Sequence, residues 1–365
     1  MKITHIDELE NIQEFYDEVK DETIVAPIYI GNNRYIIKDI LSNSGGFGII
    51  YIALDTRLQN REVLVKANKY SSMTIKKSET DLTGLLEDII DMRKSIEWEK
   101  RTLVSLKRGK EARMPSVIEF IKDYSPQLKK LNISEHIYNN EPYIIMQKIE
   151  GNTLSSYREN KETIHILEER GYEDIAEWEL DVLSYAYQIC TILEGFHKRE
   201  IVNSRDSYYV YQDLKPENII LSYDKLITLL DFGGMTRVFE STLNEELITQ
   251  TDNKWGSPGL GSAGYIAPES EALSNKIDER VDVFTLGATM FNLLTGIKPN
   301  EVRQKSHNRL PINEILEEGY SEVTYKIIEK CTQIDRNDRY ANIGEVKSEI
   351  GRAFSFVKKK AKVHL

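Results

Sequence analysis

The string Tyr211-Gln212-Asp213-Leu214-Lys215-Pro216-Glu217-Asn218, followed at once by the apolar run Ile219-Ile220-Leu221, constrains this chain more than any other feature. It sets an acid, a cation two residues later and an amide five residues later on one loop before a short strand. A carboxylate at Asp213 can accept the proton of an attacking hydroxyl, and an ammonium at Lys215 can neutralise charge on a group in transfer. The amide oxygen of Asn218 can bind magnesium. Eighteen residues beyond Asp213, Asp231-Phe232-Gly233 closes a second strand-like run, Ile227 to Leu230. A carboxylate there can take a Mg²⁺ ion that bridges phosphates. Three such residues alone are a common accident; at this distance from an Asp-Lys-Asn loop they are not.

Upstream, Asn43-Ser44-Gly45-Gly46-Phe47-Gly48 joins two predicted strands, and its glycines let backbone N–H groups approach bound phosphates. Taken alone this is an ordinary hairpin turn. It lacks a following Lys-Ser or Lys-Thr and turns from strand to strand, which argues against a P-loop NTPase and a dinucleotide-binding fold. The strand Val63-Leu64-Val65-Lys66 ends in a cation suited to α- and β-phosphates, provided that a carboxylate fixes it. Glu99 stands four and seven residues before Leu103 and Leu106 and shares their inward face. Glu97 does not share it, so Glu99 is the expected partner.

Short runs rich in β-branched and aromatic residues at Tyr35 to Leu41, Gly48 to Leu54 and Arg61 to Lys66 predict an antiparallel meander. A helix is expected over Leu85 to Leu106 and a strand over Pro142 to Ile149, and from Asp181 onward the apolar spacing is helical. At the N-terminus, Ile3, Ile6, Leu9, Ile12, Phe15, Tyr16 and Val19 fall near helical spacing and predict an amphipathic helix. Its apolar stripe calls for burial on the small β-rich unit or against a second copy of the chain.

The formal net charge of −11 disfavours nucleic acid and anionic membrane as partners. No stretch of the sequence approaches about 18 apolar residues. The chain is expected to be soluble and cytoplasmic. Cys190 and Cys331 lack metal-ligand spacing and read as buried free thiols.

In order and spacing these motifs resemble the eukaryotic-like serine/threonine protein kinases over roughly residues 35–356. Gly261-Ser262-Ala263-Gly264-Tyr265-Ile266-Ala267-Pro268-Glu269 looks like the close of that family's activation segment. Asp282 resembles its central-helix aspartate, and Arg339 the arginine that pairs with Glu269. The resemblance implies an α+β, bilobal fold with a small antiparallel β-rich N-lobe, a larger mostly helical C-lobe and ATP in the cleft. It implies domains at 1–34 (N-terminal extension), 35–149 (N-lobe and hinge), 150–356 (C-lobe) and 357–365 (basic tail). The implied catalytic residues are Asp213, Lys215, Lys66 and Glu99. Nucleotide would be bound by Asn43, Ser44, Gly45, Gly46, Phe47, Gly48, Ile50, Lys66, Met146 as gatekeeper, and Gln147 and Ile149 in the hinge. Magnesium, with manganese as an alternative, would be held by Asn218 and Asp231.

Lys215 and Ser262 are similar to serine/threonine kinases, so a protein substrate with an aliphatic hydroxyl is implied. The acids from Glu159 to Asp181 predict basic residues beside that acceptor. The chain departs from the family pattern at Asn43, in place of the first glycine, and at Tyr211-Gln212, in place of His-Arg. Without that arginine, control by an activation-loop phosphate is not expected. Residues about 67–84 and 200–208 and a long segment from Asp231 to Glu269 are expected to be surface loops. Two alternatives stay open: a pseudokinase scaffold that binds nucleotide, and a small-molecule kinase of related fold.

Overall fold

Strand-forming sequence dominates the first 150 residues, and most of it pairs antiparallel. The computed structural model describes residues 1–18, 21–43, 48–70, 81–106, 113–131, 133–159, 175–243, 246–251, 262–271, 277–303 and 309–363. The chain divides into two units, 1–107 with 115–148 and 108–114 with 149–365.

The first unit holds two sheets. Strands β1 (Lys2–Asp7), β2 (Ile12–Asp17) and β3 (Glu22–Pro27) form one. The second has six strands: β4 (Tyr29–Ile30), β5 (Tyr35–Ser42), β6 (Gly48–Asp55), β7 (Arg61–Asn68), β8 (Val117–Asp123) and β9 (Glu141–Gln147), in the spatial order β4-β5-β6-β7-β9-β8. Phe15, Ile24 and Ala26 of the small sheet share one core with Tyr35, Tyr51, Val65, Tyr143 and Ile145 of the large one. Helix α1 (Leu82–Leu106) buries Leu85, Ile89, Ile96 and Leu103 along one face.

The N-terminal helix expected from apolar spacing is instead β1 and β2, and two features explain the difference. The Asp7 carboxylate accepts the N–H groups of Leu9 and Glu10 at 3.1 and 3.2 Å, a side-chain turn that competes with helix. Asn11 then takes a left-handed φ of 54° and uses its side chain to accept from the N–H groups of Ile28 and Tyr29. The helical stripe is not buried as a unit: Ile3, Ile6 and Leu9 are 41, 54 and 99% exposed, while Phe15 is buried. On β2 it is the alternating set Gln13, Phe15 and Asp17 that turns inward. The extension also does not end at residue 34, because β4 belongs to the large sheet.

The second unit is built on helices α2 (Ile175–Phe196), α3 (Arg280–Thr295), α4 (Glu322–Cys331) and α5 (Ile343–Val363). Every residue of α3 from Val281 to Leu294 is buried, the signature of a helix surrounded by its own domain. Trp178 on α2 donates its indole N–H to the Leu293 carbonyl at 3.0 Å, fixing one helix on the other. Two small sheets complete the unit. Strands β10 (Asn152–Thr153), β13 (Ile219–Leu221) and β14 (Ile227–Leu229) form one. Strands β11 (Glu200–Val202), β12 (Arg205–Val210), β15 (Thr236–Leu243) and β16 (Glu246–Thr251) form the other, in the order β11-β12-β15-β16.

That second sheet corrects the expectation of surface loops at 200–208 and along 236–251. Tyr208, Tyr209, Val238 and Phe239 bury their side chains, so both segments pair as strands. Likewise β7 runs on to Asn68 and α1 begins at Leu82, leaving residues 71–80 outside the described part. The basic tail is no separate segment either: α5 continues unbroken to Val363, with Val357 buried. Of the acids expected beside a substrate, residues 160–174 lie outside the described part. Glu179 is buried and accepts from the N–H and hydroxyl of Ser321. Cys190 and Cys331 are buried and free.

Candidate active site

In the first unit, Lys66 lies opposite Ile50 on β6 and Ile144 on β9, near the end of a strand paired on both sides. Its ammonium is buried and meets both carboxylate oxygens of Glu99 at 2.7 Å. Glu97 turns away and reaches Lys122 at 3.3 Å on the surface. A second contact fixes α1: Arg93 donates to Glu141 at the start of β9 at 3.0 Å. Asn68 and the Tyr70 hydroxyl bond the same carboxylate at 2.7 and 2.9 Å. Burial pushes the Glu141 carboxyl up, against the downward pull of Arg93, Asn68 and Tyr70.

A Cβ at Gly48 would stand 3.1 Å from Lys66 Cε, a tight contact that the lysine side chain would have to yield to. Met146 is buried between Leu64 and Val117, and Gln147 is exposed with its N–H on the Ser116 carbonyl at 2.9 Å. Asn43, Gly48, Ile50, Lys66, Glu99, Met146 and Gln147 thus belong to the first unit and Ile149 to the second. Ser44, Gly45, Gly46 and Phe47 lie outside the described residues.

The second unit brings Asp213, Lys215, Asn218 and Ser262 together. Asp213 Oδ1 accepts from the Ser262 N–H at 2.9 Å and the Ser262 hydroxyl at 2.8 Å, and Oδ2 accepts from Asn218 Nδ2 at 2.8 Å. Lys215 donates to the Ser262 hydroxyl, and its ammonium stands 3.5 Å from Asp213 Oδ2. An aliphatic hydroxyl held against a carboxylate, with a cation beside both, is arranged for proton removal. Asn218 spends its amide nitrogen on Asp213, so its oxygen is the end available to another group. Asp231 adds a carboxylate at the end of the β13–β14 hairpin, where Leu230 N–H bonds the Asn218 carbonyl at 2.8 Å. An amide oxygen and a carboxylate are hard donors of the kind magnesium takes, so these residues fit that ion.

The loop's backbone is unusual and well held. Gln212 in this loop, and Asp231 after β14, take left-handed φ values of 68° and 51°, uncommon for non-glycine residues. Asp282 of α3 holds the loop at Gln212 by accepting the N–H groups of Tyr211 and Gln212 at 2.9 and 2.8 Å. His197, at the end of α2, bonds the same carboxylate at 2.8 Å, and Thr289 bonds the Leu214 carbonyl at 3.1 Å. Neither was legible as a supporting residue, because each acts over 75 or more positions of sequence. Glu269 and Arg339 form a two-bond ion pair at 2.7 and 2.8 Å.

The chain is 25% identical over 327 residues to a probable serine/threonine-protein kinase of Clostridium acetobutylicum, covering 87% of this chain and 40% of that protein. It is 26% identical over 280 residues to the serine/threonine-protein kinase PknA of a Nostoc species, covering 76% and 40%. The chain therefore spans about two-fifths of the length of these relatives. Among solved structures it resembles the apo form of PpkA-294, with a TM-score of 0.56 at 16% identity over 89% of this chain and 99% of that one, a likeness of fold. The profile of the protein kinase domain matches residues 44–349, and this chain belongs to that family.

Proposed function

We propose that the chain is an ATP- and magnesium-dependent protein kinase that phosphorylates serine or threonine hydroxyls of protein substrates, its own chain among them. The observation that carries this reading is the hydrogen bond from the Ser262 hydroxyl to Asp213, flanked by Lys215. A substrate serine or threonine would make the same bond and lose its proton to Asp213 as its oxygen attacks the γ-phosphorus. The bond from that phosphorus to the β–γ bridging oxygen breaks, and Lys215 offsets charge on the group in transfer. Lys66, fixed by Glu99, would hold the α- and β-phosphates. Magnesium, or manganese in its place, would neutralise phosphate charge from ligands Asn218 and Asp231. The names of the bacterial relatives support the same acceptor class.

Activity would not depend on a phosphate in the segment after Asp231. The Gln212 amide donates to the Gly234 carbonyl at 3.0 Å and the Thr236 hydroxyl at 2.6 Å, and β15 pairs with β12 from Thr236 to Glu240. These neutral bonds support a segment held without a guanidinium–phosphate pair.

The test is purified protein with magnesium and labelled ATP, alone and with a generic protein substrate, beside Asp213→Ala. Label on serine or threonine should fall about 10²- to 10⁴-fold in the variant. Label that persists in Asp213→Ala, or appears on a small-molecule acceptor and not on protein, would overturn the proposal.

A further inference from the structure

Arg199, shortly past the end of α2, takes no part in the chemistry proposed above, yet its guanidinium meets two carboxylates at once. It grips Glu279 as a fork, Nη2 to Oε1 at 3.0 Å and Nη1 to Oε2 at 3.3 Å, while Nη2 also donates to Glu240 Oε1 at 3.0 Å. Nη1 donates as well to the His197 carbonyl at 3.1 Å. The guanidinium carbon stands 4.1 Å from the centre of the buried Tyr208 ring on β12. Glu240 is the last residue of β15 that pairs with β12, and Glu279 directly precedes α3. One side chain thus joins the end of α2, the start of α3 and the point where β15 leaves the β12 ladder. The line continues inward: the His197 ring stands 3.5 Å from Glu279 through Nδ1 and 2.8 Å from Asp282 through Nε2. Asp282, in the first turn of α3, accepts the N–H of Gln212, the residue before Asp213.

We propose that Arg199 is a positioning residue for phosphoryl transfer. By holding Glu240 and Glu279 together, it ties the strand after Asp231 to the turn of α3 that fixes the backbone beside Asp213. This rests on the kinase reading above. Glu240 offers Arg199 a permanent anion of the kind that a phosphate would otherwise supply, so the tie needs no modification. Arg199 is 39% exposed, and a lone ion pair at that exposure contributes little. The fork and the stacking on Tyr208 set its geometry, which a point charge on a flexible stem would not do. Removing the cation leaves two carboxylates that shared Nη2 to repel one another, at the joint that holds α3 against β15. A small displacement of Asp213 from its hydroxyl is costly, because proton removal demands hydrogen-bond geometry.

The experiment measures steady-state transfer from labelled magnesium ATP to a generic protein substrate, together with melting temperature, on the full chain. The proteins are the wild type, Arg199→Met, Arg199→Lys, Glu240→Gln and the variant carrying both Arg199→Met and Glu240→Gln. Arg199→Met should lower kcat about ten- to a hundredfold. KM for ATP should change less, because Lys66 and Glu99, which would hold nucleotide, belong to the other unit. Arg199→Lys keeps the charge but cannot fork between two carboxylates, so it should recover only part of the loss. Glu240→Gln should lower kcat in the wild type and cost less beside Arg199→Met, where its contact is already gone. Unchanged kcat in Arg199→Met at matched melting temperature overturns the inference, as do strictly additive effects of the two substitutions. If Arg199→Met does not fold, unchanged kcat in Glu240→Gln overturns it instead. A wild type that labels no protein sinks the kinase reading and this inference together, whereas an active wild type with an equally active Arg199→Met fails this inference alone.

Discussion

Single side chains decide more here than their number suggests, because the important ones are buried and paired. Glu99 satisfies Lys66 inside the first unit, so truncating it leaves an ammonium without its carboxylate in low dielectric. Glu99→Ala should destabilise the fold by about 3–5 kcal/mol, while Glu97→Ala, whose partner Lys122 is 49% exposed, should cost under about 1 kcal/mol. Urea denaturation of both variants checks this, and equal midpoints would refute it. Helical spacing made Glu99 legible in the sequence, since i+4 and i+7 apolar neighbours define a face whatever the helix packs on. Nothing local marked Asn43, Glu22 and Lys69 as partners, because their meeting depends on pairing across three separate strands.

At the scale of elements, the ladder of β12 with β15 bears on regulation. Backbone hydrogen bonds from Thr236 to Glu240 hold the strand after Asp231 independently of any charged modification. Phosphatase-treated protein should therefore keep most of its transfer activity, measured with labelled ATP; loss of nearly all activity would show that a phosphate is required. Neither strand was anticipated. The length of the insertion read as loop, yet Tyr208, Tyr209, Val238 and Phe239 gave each segment apolar side chains that a loop would leave in water. The N-terminal segment failed in the opposite way. Its apolar residues fit a helical period by spacing alone, while Asp7 and Asn11 carried the turn signals that broke the helix into a hairpin.

Across the whole molecule, each unit is tied by charged groups that join distant segments. Arg34 makes two bonds to Asp55 at 2.9 and 2.7 Å and one to Glu119 at 2.7 Å, linking the start of β5, the end of β6 and β8. Arg34's hydrogen bonds hold the Asp55 carboxyl below its usual range, and the Arg57 N–H adds to this against the effect of burial. An acid with a lowered folded pKa contributes stability that is present above its unfolded value, about 3.9. That contribution is lost as pH falls through the folded value. The melting temperature should fall below about pH 4, and Asp55→Asn should melt lower than wild type at neutral pH but converge on it in acid; parallel curves would contradict the assignment. Among the described residues no helix is long and apolar enough to cross a membrane. Sequence alone made legible the family, the Asp213–Asn218 loop and the paired Lys66 and Glu99, because those residues sit at short fixed spacings. Only the tertiary structure decided the N-terminal sheet, the β12–β15 ladder and the hydrogen bonds that join Asn43 to Glu22 and Lys69, because strand pairing joins residues whose distance along the chain carries no information about their distance in space.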